Sequence, residues 1–235
     1  MLEGAKGLFF SNDLDEVSDP RVTMQWVAPF QDVAAYSAFM LTELADYLTT
    51  SHVLIVQWDG FSLNYGAWDD RFLEYDYIGA PWPQFDPPHN VGNGGFSLRS
   101  RRLLRALRDP EMRLHAPEDL CICRTNRPLL ESRYGIHFAP EEVAERFAFE
   151  RTIPDQPTFG FHGLFNFPAA LPDGYLEEIA SLPDVLLCNR DAVELAVRLK
   201  ALPDPLDRSL ARRIAACIAL RRPLLLGRLV RAWVG

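Results

Sequence analysis

The sequence predicts an α/β domain that is followed by a helical C-terminal extension. Three observations support this fold class. Strand-like and helix-like segments alternate over the first half of the chain, as they do in α/β proteins. Residues 53–56 are all apolar, which is typical of a strand that is buried on both faces. Beyond residue 168, apolar side chains recur at helical spacing between Leu-Pro steps.

The N-terminal segments begin the alternation. Residues 7–11 and 22–27 are rich in aromatic and aliphatic side chains and predict two strands. Residues 34–48 repeat apolar side chains at helical spacing and predict an amphipathic helix. Residues 53–57 then predict the next strand. We expect it to be a central strand, because its apolar run suits burial on both faces of a sheet.

The middle segments are shorter and alternate with turns rich in proline and glycine. Residues 76–83 predict a short strand that ends in a proline turn. Residues 95–107 predict a strand that leads into a helix, with Ser100 as the helix N-cap. A further helix is expected to start at Pro117, and residues 145–150 are expected to form an edge strand.

The C-terminal region is predicted to be helical over residues 173–182, 191–200 and 207–221. The change of pattern near residue 169 suggests a division of the chain. We expect residues 1–168 to form the α/β domain, and residues 169–235 to form a helical extension rich in arginine.

Composition limits the classes of partner. The net charge of −8 argues against a nucleic-acid partner, because phosphate backbones attract basic surfaces. The four cysteines form no C-x-x-C pair, which disfavours a disulfide-stapled secreted fold. The sequence shows no signal-peptide pattern, and no apolar run approaches the roughly 18 residues that span a bilayer. We therefore expect a cytoplasmic protein.

The C-terminal tail is basic and leaves two alternatives open. Residues 208–235 contain seven arginines and no acidic residue. As a helix on a membrane surface, the tail would place arginines against anionic lipid and insert its apolar side chains, which would make the protein membrane-peripheral. The inserted residues would be 224–226, Leu229, Val230 and Trp233. As an ordinary amphipathic helix, it would pack on the domain with its arginines outward.

The first candidate site is the segment QWDG, which follows the apolar strand and contains Asp59. In open α/β sheets, ligands bind at the C-terminal ends of parallel strands. There, Asp59 would hold a divalent cation that bridges the phosphates of a nucleotide, because hard cations prefer oxygen ligands. The alternative is that Asp-Gly only forms a turn, in which Asp59 caps backbone amides.

The second candidate is the segment VGNGGFSLRS over residues 91–100. Its three glycines and Asn93 allow the backbone to approach a ligand closely or to adopt positive φ. The segment does not match G-x-G-x-x-G and lacks the Lys-Ser/Thr of a P-loop. A tight hairpin is the alternative interpretation.

The third candidate is the acid pair Glu118 and Asp119 at the predicted helix start. Either carboxylate could act as a general base. However, proline followed by acids is also a common way for a helix to begin. Arg124 lies about one turn further on and could pair with either acid.

The fourth candidate is His162, which lies between aromatic residues and glycines in FGFHGLFN. A lone histidine in such surroundings is often a packed, hydrogen-bonded residue. The other histidines show no H-x-x-x-H or H-E-x-x-H spacing, so a dedicated zinc site is not expected. The remaining alternative is that His162 joins Asp59 around a metal that substrate phosphates complete.

Five blocks in this order carry a family resemblance: LIVQWDGF, WDDRFLEYDYIGAPWP, VGNGGFSLRSRRLL, PEDLCICR and FGFHGLFN. Together, from about Ala5 to Phe167, they resemble the domain of unknown function 5672, a family related to glycosyltransferases of the GT-A type. The resemblance implies a GT-A-like nucleotide-diphospho-sugar transferase fold, with a mixed sheet flanked by helices. The usual first βα unit has no counterpart here, since residues 6–13 match the second strand.

The resemblance also implies a metal site. Asp59 stands where GT-A enzymes have the aspartate motif that binds the cation and the donor diphosphate. The usual Asp-x-Asp is here Gln57-Trp58-Asp59, with one carboxylate instead of two. His162 stands where several of these enzymes place a late metal-binding histidine. Asp59 and His162 would therefore hold Mn²⁺ or Mg²⁺.

The remaining roles concern the substrates and the base. Asn93, Gly94 and Gly95 match the glycine segment that lies against the donor sugar or the acceptor. Trp58 and Arg124 are assigned to the same donor- and acceptor-binding region. The catalytic candidates match the acid pair that, in inverting members, deprotonates the acceptor hydroxyl: Glu118 and Asp119.

The function implied is that of a hexosyltransferase-like enzyme. It would move a sugar from a nucleotide-sugar donor to a glycan or another hydroxyl acceptor, by a single displacement with inversion. A second hypothesis is a non-catalytic glycan- or partner-binding module derived from such an enzyme. A third is a metal-assisted phosphoester hydrolase that uses Asp59, Asp119 and His162.

Overall fold

The structure is a computed structural model that describes residues 5–13 and 19–234. Within these residues the strands are short and form three small sheets. They are β1 (Gly7–Ser11), β2 (Val22–Trp26), β3 (His52–Val56), β4 (Tyr77–Ile78), β5 (Phe96–Ser100), β6 (Ala148–Phe149) and β7 (Gly160–Phe161). The helices are α1 (Val33–Thr42), α2 (Arg101–Ala106), α3 (Glu118–Leu120), α4 (Arg127–Tyr134), α5 (Glu141–Phe147), α6 (Phe167–Ala170), α7 (Tyr175–Ser181), α8 (Arg190–Ala201), α9 (Pro205–Arg221) and α10 (Pro223–Val234). The fold is therefore mixed α/β.

The three-stranded sheet has the order β3-β5-β4, and both pairings are antiparallel. All five residues of β5 are buried, so β5 is the central strand. The prediction that residues 53–57 form a central strand is wrong, because β3 is an edge strand of this sheet. Its run is apolar because its two faces pack on different clusters. Val53 and Ile55 contact one cluster, and Leu54 contacts another.

The two predicted N-terminal strands are confirmed as the parallel pair β1 and β2. The first predicted helix is shorter than expected. α1 begins after Asp32, whose Oδ1 accepts a hydrogen bond from the Ala35 amide at 2.8 Å, and it gives way to the 3₁₀ turn Leu44–Tyr47. A helix that tightens in this way at its C-terminal end is common.

One predicted cap and one predicted helix start in the middle of the chain are confirmed. Ser100 Oγ accepts a hydrogen bond from the Leu103 amide at 2.9 Å, so Ser100 is the N-cap of α2. Pro117 is the N-cap of α3, which continues as a π-helical turn over Cys121–Thr125. A single π turn of this kind often marks a functional region.

The strand predicted over residues 145–150 is wrong for its first three residues, which belong to α5. Val143 and Phe147 lie four residues apart on the buried face of this helix, with Ala144 beside them. The helical spacing of the buried residues therefore determines the structure here, although the aromatic content predicted a strand. Only Ala148 and Phe149 pair as β6, with the parallel strand β7.

The predicted C-terminal helices are confirmed as α7, α8 and α9. They share one hydrophobic cluster with residues that precede the expected division of the chain. Phe161 and Phe165 from the earlier part contact this cluster together with Leu195 and Ile214 from the later part. The division near residue 169 stays a prediction.

The last helix, α10, packs on this same cluster through Leu225, Leu229 and Trp233. Its other side is exposed and carries arginines together with Leu224 and Val230. The packed side matches the expectation for an ordinary amphipathic helix, whereas the exposed apolar residues Leu224, Leu226 and Val230 do not. Within the described residues, none of the helices combines the length and the apolar character that crossing a membrane requires.

Candidate functional site

Asp59 lies in a tight turn at the end of β3. Gln57 and Gly60 exchange two backbone hydrogen bonds of 3.1 Å, so Trp58 and Asp59 form the tip of the turn. The prediction that a parallel strand precedes this turn is wrong, because β3 pairs antiparallel with β5. Asp59 is buried, and its carboxylate faces the ring of His162 across the turn, with Oδ1 3.6 Å from Nε2. The Asp-Gly turn therefore presents a carboxylate to another segment.

His162 lies between two carboxylates. Its Nε2 faces Asp59, and its Nδ1 lies 3.3 Å from Glu150 Oε1. Burial acts to lower the pKa of His162, but the two carboxylates outweigh burial and raise this pKa to about 10. Without another cation, the imidazole is therefore protonated at neutral pH and balances part of the surrounding negative charge.

The protonation state of His162 decides which contact at Nδ1 is a hydrogen bond. Asn93 Nδ2 lies 2.9 Å from Nδ1 and can donate to it only when Nδ1 carries no proton. When Nδ1 is protonated, it donates to Glu150 instead. Nε2 is buried and has no hydrogen-bond partner among the described residues. The side chain is thus held by its Nδ1 edge, and Nε2 is directed toward Asp59.

The segment of Asn93, Gly94 and Gly95 passes between His162 and Glu118. A Cβ atom on Gly95 would collide with the ring of His162, and one on Gly94 would collide with the carboxylate of Glu118. Glycine is therefore required by close packing at both positions. This segment joins the His162 side of the site to the acid pair.

Asn93 holds this segment in a left-handed conformation, with φ of 70°. Asparagine adopts this conformation more readily than most residues. Its Oδ1 accepts a hydrogen bond from the Phe96 amide at 3.1 Å, which directs Nδ2 toward His162. Its carbonyl accepts a hydrogen bond from the Tyr77 hydroxyl at 2.7 Å. The conformation is thus fixed by contacts on both sides of the residue.

The two acids of the pair differ in their surroundings. Glu118 is buried and accepts a hydrogen bond from Arg99 Nη2 at 3.0 Å, and Arg99 itself is fully buried. Asp119 is half-buried, and its Oδ1 accepts a hydrogen bond from the Leu120 amide at 2.7 Å. Burial raises the pKa of Asp119, and the charges of Glu118 and Glu150 raise it further. Asp119 is therefore more basic than an ordinary aspartate.

Gln57, at the start of the Asp59 turn, contacts Tyr36. Its Nε2 donates to the Tyr36 hydroxyl at 2.9 Å. Burial, together with the charge of Glu118, raises the pKa of Tyr36 to about 12. Tyr36 is thus a neutral hydroxyl at physiological pH, and it connects the Asp59 turn with the surroundings of the acid pair.

Of the remaining predicted binding residues, Arg124 lies apart from this arrangement and Trp58 lies at its surface. Arg124 donates to the His89 carbonyl at 2.7 Å and stacks on the Phe85 ring at 4.2 Å. The basic partner of Glu118 is Arg99, and not Arg124. Trp58 is 42% exposed at the tip of the turn next to Asp59. The indole is therefore available at the surface beside the buried site.

Sequence reasoning missed several charged residues of the site. Glu150 fell inside a predicted strand, and Arg99 lay in a segment selected only for its glycines. Arg151 donates to Glu194 at 2.8 Å and lies 3.6 Å from Asp191 and 3.7 Å from Glu150. Burial raises the pKa of Asp191, and Arg151 partly offsets this rise. No spacing rule could have joined these residues to Asp59.

The structure thus brings together six of the nine predicted site residues through contacts or close packing. They are Asp59, Asn93, Gly94, Gly95, Glu118 and His162. Asp119 follows Glu118 directly, and the charge of Glu150 acts on it. Trp58 flanks Asp59 in the turn, whereas Arg124 contacts a different loop.

Comparison with known proteins identifies one family. The sequence model of a family described as "Protein of unknown function (DUF5672)" matches residues 21–162. The matched range contains the Asp59 turn, the glycine segment and the acid pair, and it ends at His162. Neither the curated proteins nor the solved structures yield a match. Because the match covers more than half of the chain, this protein belongs to the DUF5672 family of proteins of unknown function.

Proposed function

We propose that the chain is a glycosyltransferase with a GT-A-like fold, which moves a sugar from a nucleotide-sugar donor to a hydroxyl acceptor. One observation carries the proposal. Asp59 Oδ1 lies 3.6 Å from His162 Nε2, and the glycine segment beside His162 also packs against Glu118. A group for the leaving diphosphate and a carboxylate for the acceptor are the two elements that such a transfer requires.

The residues around Asp59 fit a divalent cation such as Mn²⁺ or Mg²⁺. His162 Nε2 is buried, lacks a hydrogen-bond partner among the described residues and faces a carboxylate oxygen. Glu150 lies at the other ring nitrogen, as the supporting carboxylate does in many metal-bound histidines. No group of three or more suitable side chains is found in residues 5–13 and 19–234. Substrate phosphates and water would therefore complete the coordination.

When bound, such a cation would offset the negative charge that grows on the leaving diphosphate. The protein groups contribute orientation. Glu150 accepts a hydrogen bond from protonated Nδ1 and so holds the His162 ring with Nε2 directed toward Asp59. The buried Gly94–Gly95 backbone allows the His162 ring and the Glu118 carboxylate to pack closely against one segment. Positioning of this kind supplies much of the rate enhancement in a two-substrate reaction.

Asp119 is the proposed base that takes the proton from the acceptor hydroxyl. Glu118 is engaged by Arg99, so it is the less available of the two carboxylates. The raised pKa of Asp119 makes it a stronger base than an ordinary aspartate. Glu118 then acts on Asp119 through its charge, and Arg99 holds Glu118 in place. Trp58, exposed beside Asp59, would provide an aromatic face for a nucleobase or a sugar ring.

A second candidate is a module that binds a glycan or a partner without catalysis. The observation that favours it is the buried ion pair of Arg99 and Glu118, which removes one of the two acids from chemistry. The two candidates differ in turnover. A transferase hydrolyses its donor slowly in the absence of acceptor and transfers the sugar in its presence, whereas a binding module does neither.

A panel of sugar nucleotides tests the proposal by thermal shift, with and without Mn²⁺. At about 100 times its Kd, a ligand stabilises a protein by about 2.7 kcal/mol, which predicts a rise in Tm of roughly 5–10 °C for a chain of this size. Asp59→Asn should abolish the metal-dependent part of the rise. Asp173→Asn, at an exposed acid outside the site, should leave it unchanged. A panel in which no sugar nucleotide shifts the Tm would contradict the proposal.

A further inference from the structure

A cleft of about 530 Å³ lies between α8 and α10, outside the candidate site. Its lining combines apolar and cationic side chains. The apolar ones are Val193, Val197 and Ala232, and the cationic ones are Arg190, Arg228 and Arg231. Two helices thus contribute guanidinium groups to the same concave surface.

The positive charge of this cleft is not balanced within the described residues. Arg190, Arg228 and Arg231 are exposed, and none of them forms an ion pair with a carboxylate of residues 5–13 or 19–234. The one acid in the lining, Glu194, already accepts hydrogen bonds from Arg151 at 2.8 Å and from Arg198 at 2.6 Å. The cleft therefore remains cationic in a chain whose net charge is −8.

We propose that this cleft binds a phosphate-bearing group, either a phosphomonoester or a diphosphate. The guanidinium group presents its N–H donors in a planar fork that matches two phosphate oxygens. Several arginines around one cleft suit a group that carries two or more negative charges, more than they suit a single carboxylate. The proposal needs only residues of the cleft, and it holds whether or not the chain transfers a sugar.

The apolar part of the lining indicates what kind of molecule the phosphate group belongs to. Val193, Val197 and Ala232 suit a ligand that has an apolar portion next to its anionic group. Leu224, on the outward side of α10, is 95% exposed, and Val230 is exposed as well. Exposed apolar residues beside arginines are typical of helices that meet anionic lipid. A lipid phosphate and a soluble phosphate ester share the same recognition chemistry, and the experiment separates them.

The cleft adjoins the candidate site through Arg151. This residue donates to Glu194 of the cleft and lies 3.7 Å from Glu150, which lies 3.3 Å from His162. A phosphate held in the cleft would thus lie one layer of charged side chains away from the proposed metal-binding pair. This proximity suits a substrate whose phosphate is bound apart from its reacting hydroxyl.

The experiment measures binding of two probes to the full chain in EDTA. Pyrophosphate is titrated by calorimetry, and phosphatidylcholine vesicles with and without phosphatidic acid are used in flotation. The double variant Arg228→Gln, Arg231→Gln should lower the affinity for the bound probe by roughly tenfold or more, because charged hydrogen bonds are lost. Both arginines are exposed, so the substitutions should leave the circular dichroism spectrum and the Tm unchanged.

The matched control is the double variant Arg212→Gln, Arg222→Gln. These arginines are also exposed and belong to the basic tail, but they do not line the cleft. The control removes the same charge and should change affinity by less than about twofold. Cleft-dependent binding of pyrophosphate identifies a soluble phosphate ligand, and cleft-dependent binding of phosphatidic acid vesicles alone identifies a lipid one. Binding of neither probe, or an equal loss in both double variants, overturns the proposal.

Discussion

Arg99 and Glu118 form an ion pair that is buried beside Asp119, with Arg99 Nη2 3.0 Å from Glu118 Oε1. The pair gives two neighbouring carboxylates different properties. Glu118 is fixed and compensated by a guanidinium group, whereas Asp119 is half-buried with a raised pKa. Adjacent acids whose environments differ in this way can take separate roles in acid–base chemistry.

The ion pair predicts a large effect of Glu118→Gln on stability. Removing the carboxylate leaves the fully buried Arg99 without its charge partner, which typically costs about 3–5 kcal/mol. Urea denaturation of the variant at pH 7 measures this loss in the free energy of unfolding. Glu177→Gln, at an exposed acid in α7, is the control and should change the free energy by less than about 0.5 kcal/mol. Equal stabilities of the two variants would argue against a buried, charged pair.

In contrast to Glu118→Gln, the variant Asp119→Asn should keep its stability and lose its activity. The pKa of Asp119 is raised in the folded chain, so ionisation of this carboxyl group opposes folding at pH values above its ordinary pKa of 3.8. The neutral amide avoids this cost, so the variant should be at least as stable as the natural chain at pH 7. If Asp119 is the base, transfer activity should fall by about 10²–10⁴-fold. The activity of the natural chain should rise with pH as Asp119 ionises, and a rate profile from pH 4 to 9 should lose this limb in the variant. Unchanged activity in Asp119→Asn would assign the base elsewhere.

The packing of the glycine segment predicts that Gly95→Ala disturbs the site. A methyl group there would collide with the His162 ring, so either the ring or the backbone must move. Overpacking of this kind costs about 1–3 kcal/mol. Gly174→Ala is the matched control, because a Cβ at Gly174 meets no atom within 4 Å. Thermal denaturation should show a lower Tm for Gly95→Ala alone, and NMR should show a shifted His162 ring resonance in that variant.

Asp76 predicts a pH dependence of stability that is separate from the site. Burial acts to raise the pKa of Asp76, but hydrogen bonds from Arg102, Ser100 and the His137 amide outweigh it and hold this pKa below 3.8. Because the folded pKa is lowered, the contribution to stability is present above the unfolded pKa. It is lost as the pH falls through the folded pKa.

Asp76→Asn should therefore be less stable than the natural chain at pH 7, by about 1–3 kcal/mol, since hydrogen bonds to a charged group are lost. The difference between the two chains should shrink as the pH falls below 4. Urea denaturation at pH values between 7 and 3 measures it. A difference that stays constant over this range would mean that the carboxylate charge contributes nothing.

Several features of this protein follow from its sequence alone. Ser100 was predicted as a helix cap and Pro117 as the start of a helix, because both signals depend on a few neighbouring residues. The selection of Asp59, Asn93 and His162 rested on local composition and on the order of five blocks. Such signals lie within short segments, so they can be recognised without knowledge of the folded structure.

The tertiary structure decided how the selected residues are used. The contacts that define the site join residues that are distant in sequence. The residue numbers differ by 69 for Asn93 and His162, by 12 for Glu150 and His162, and by 19 for Arg99 and Glu118. Local sequence periodicity does not predict such long-range contacts. It could not show that Arg99 would neutralise Glu118, or that Glu150 would support His162. These assignments depend on which side chains share a buried volume, and only the folded chain determines that.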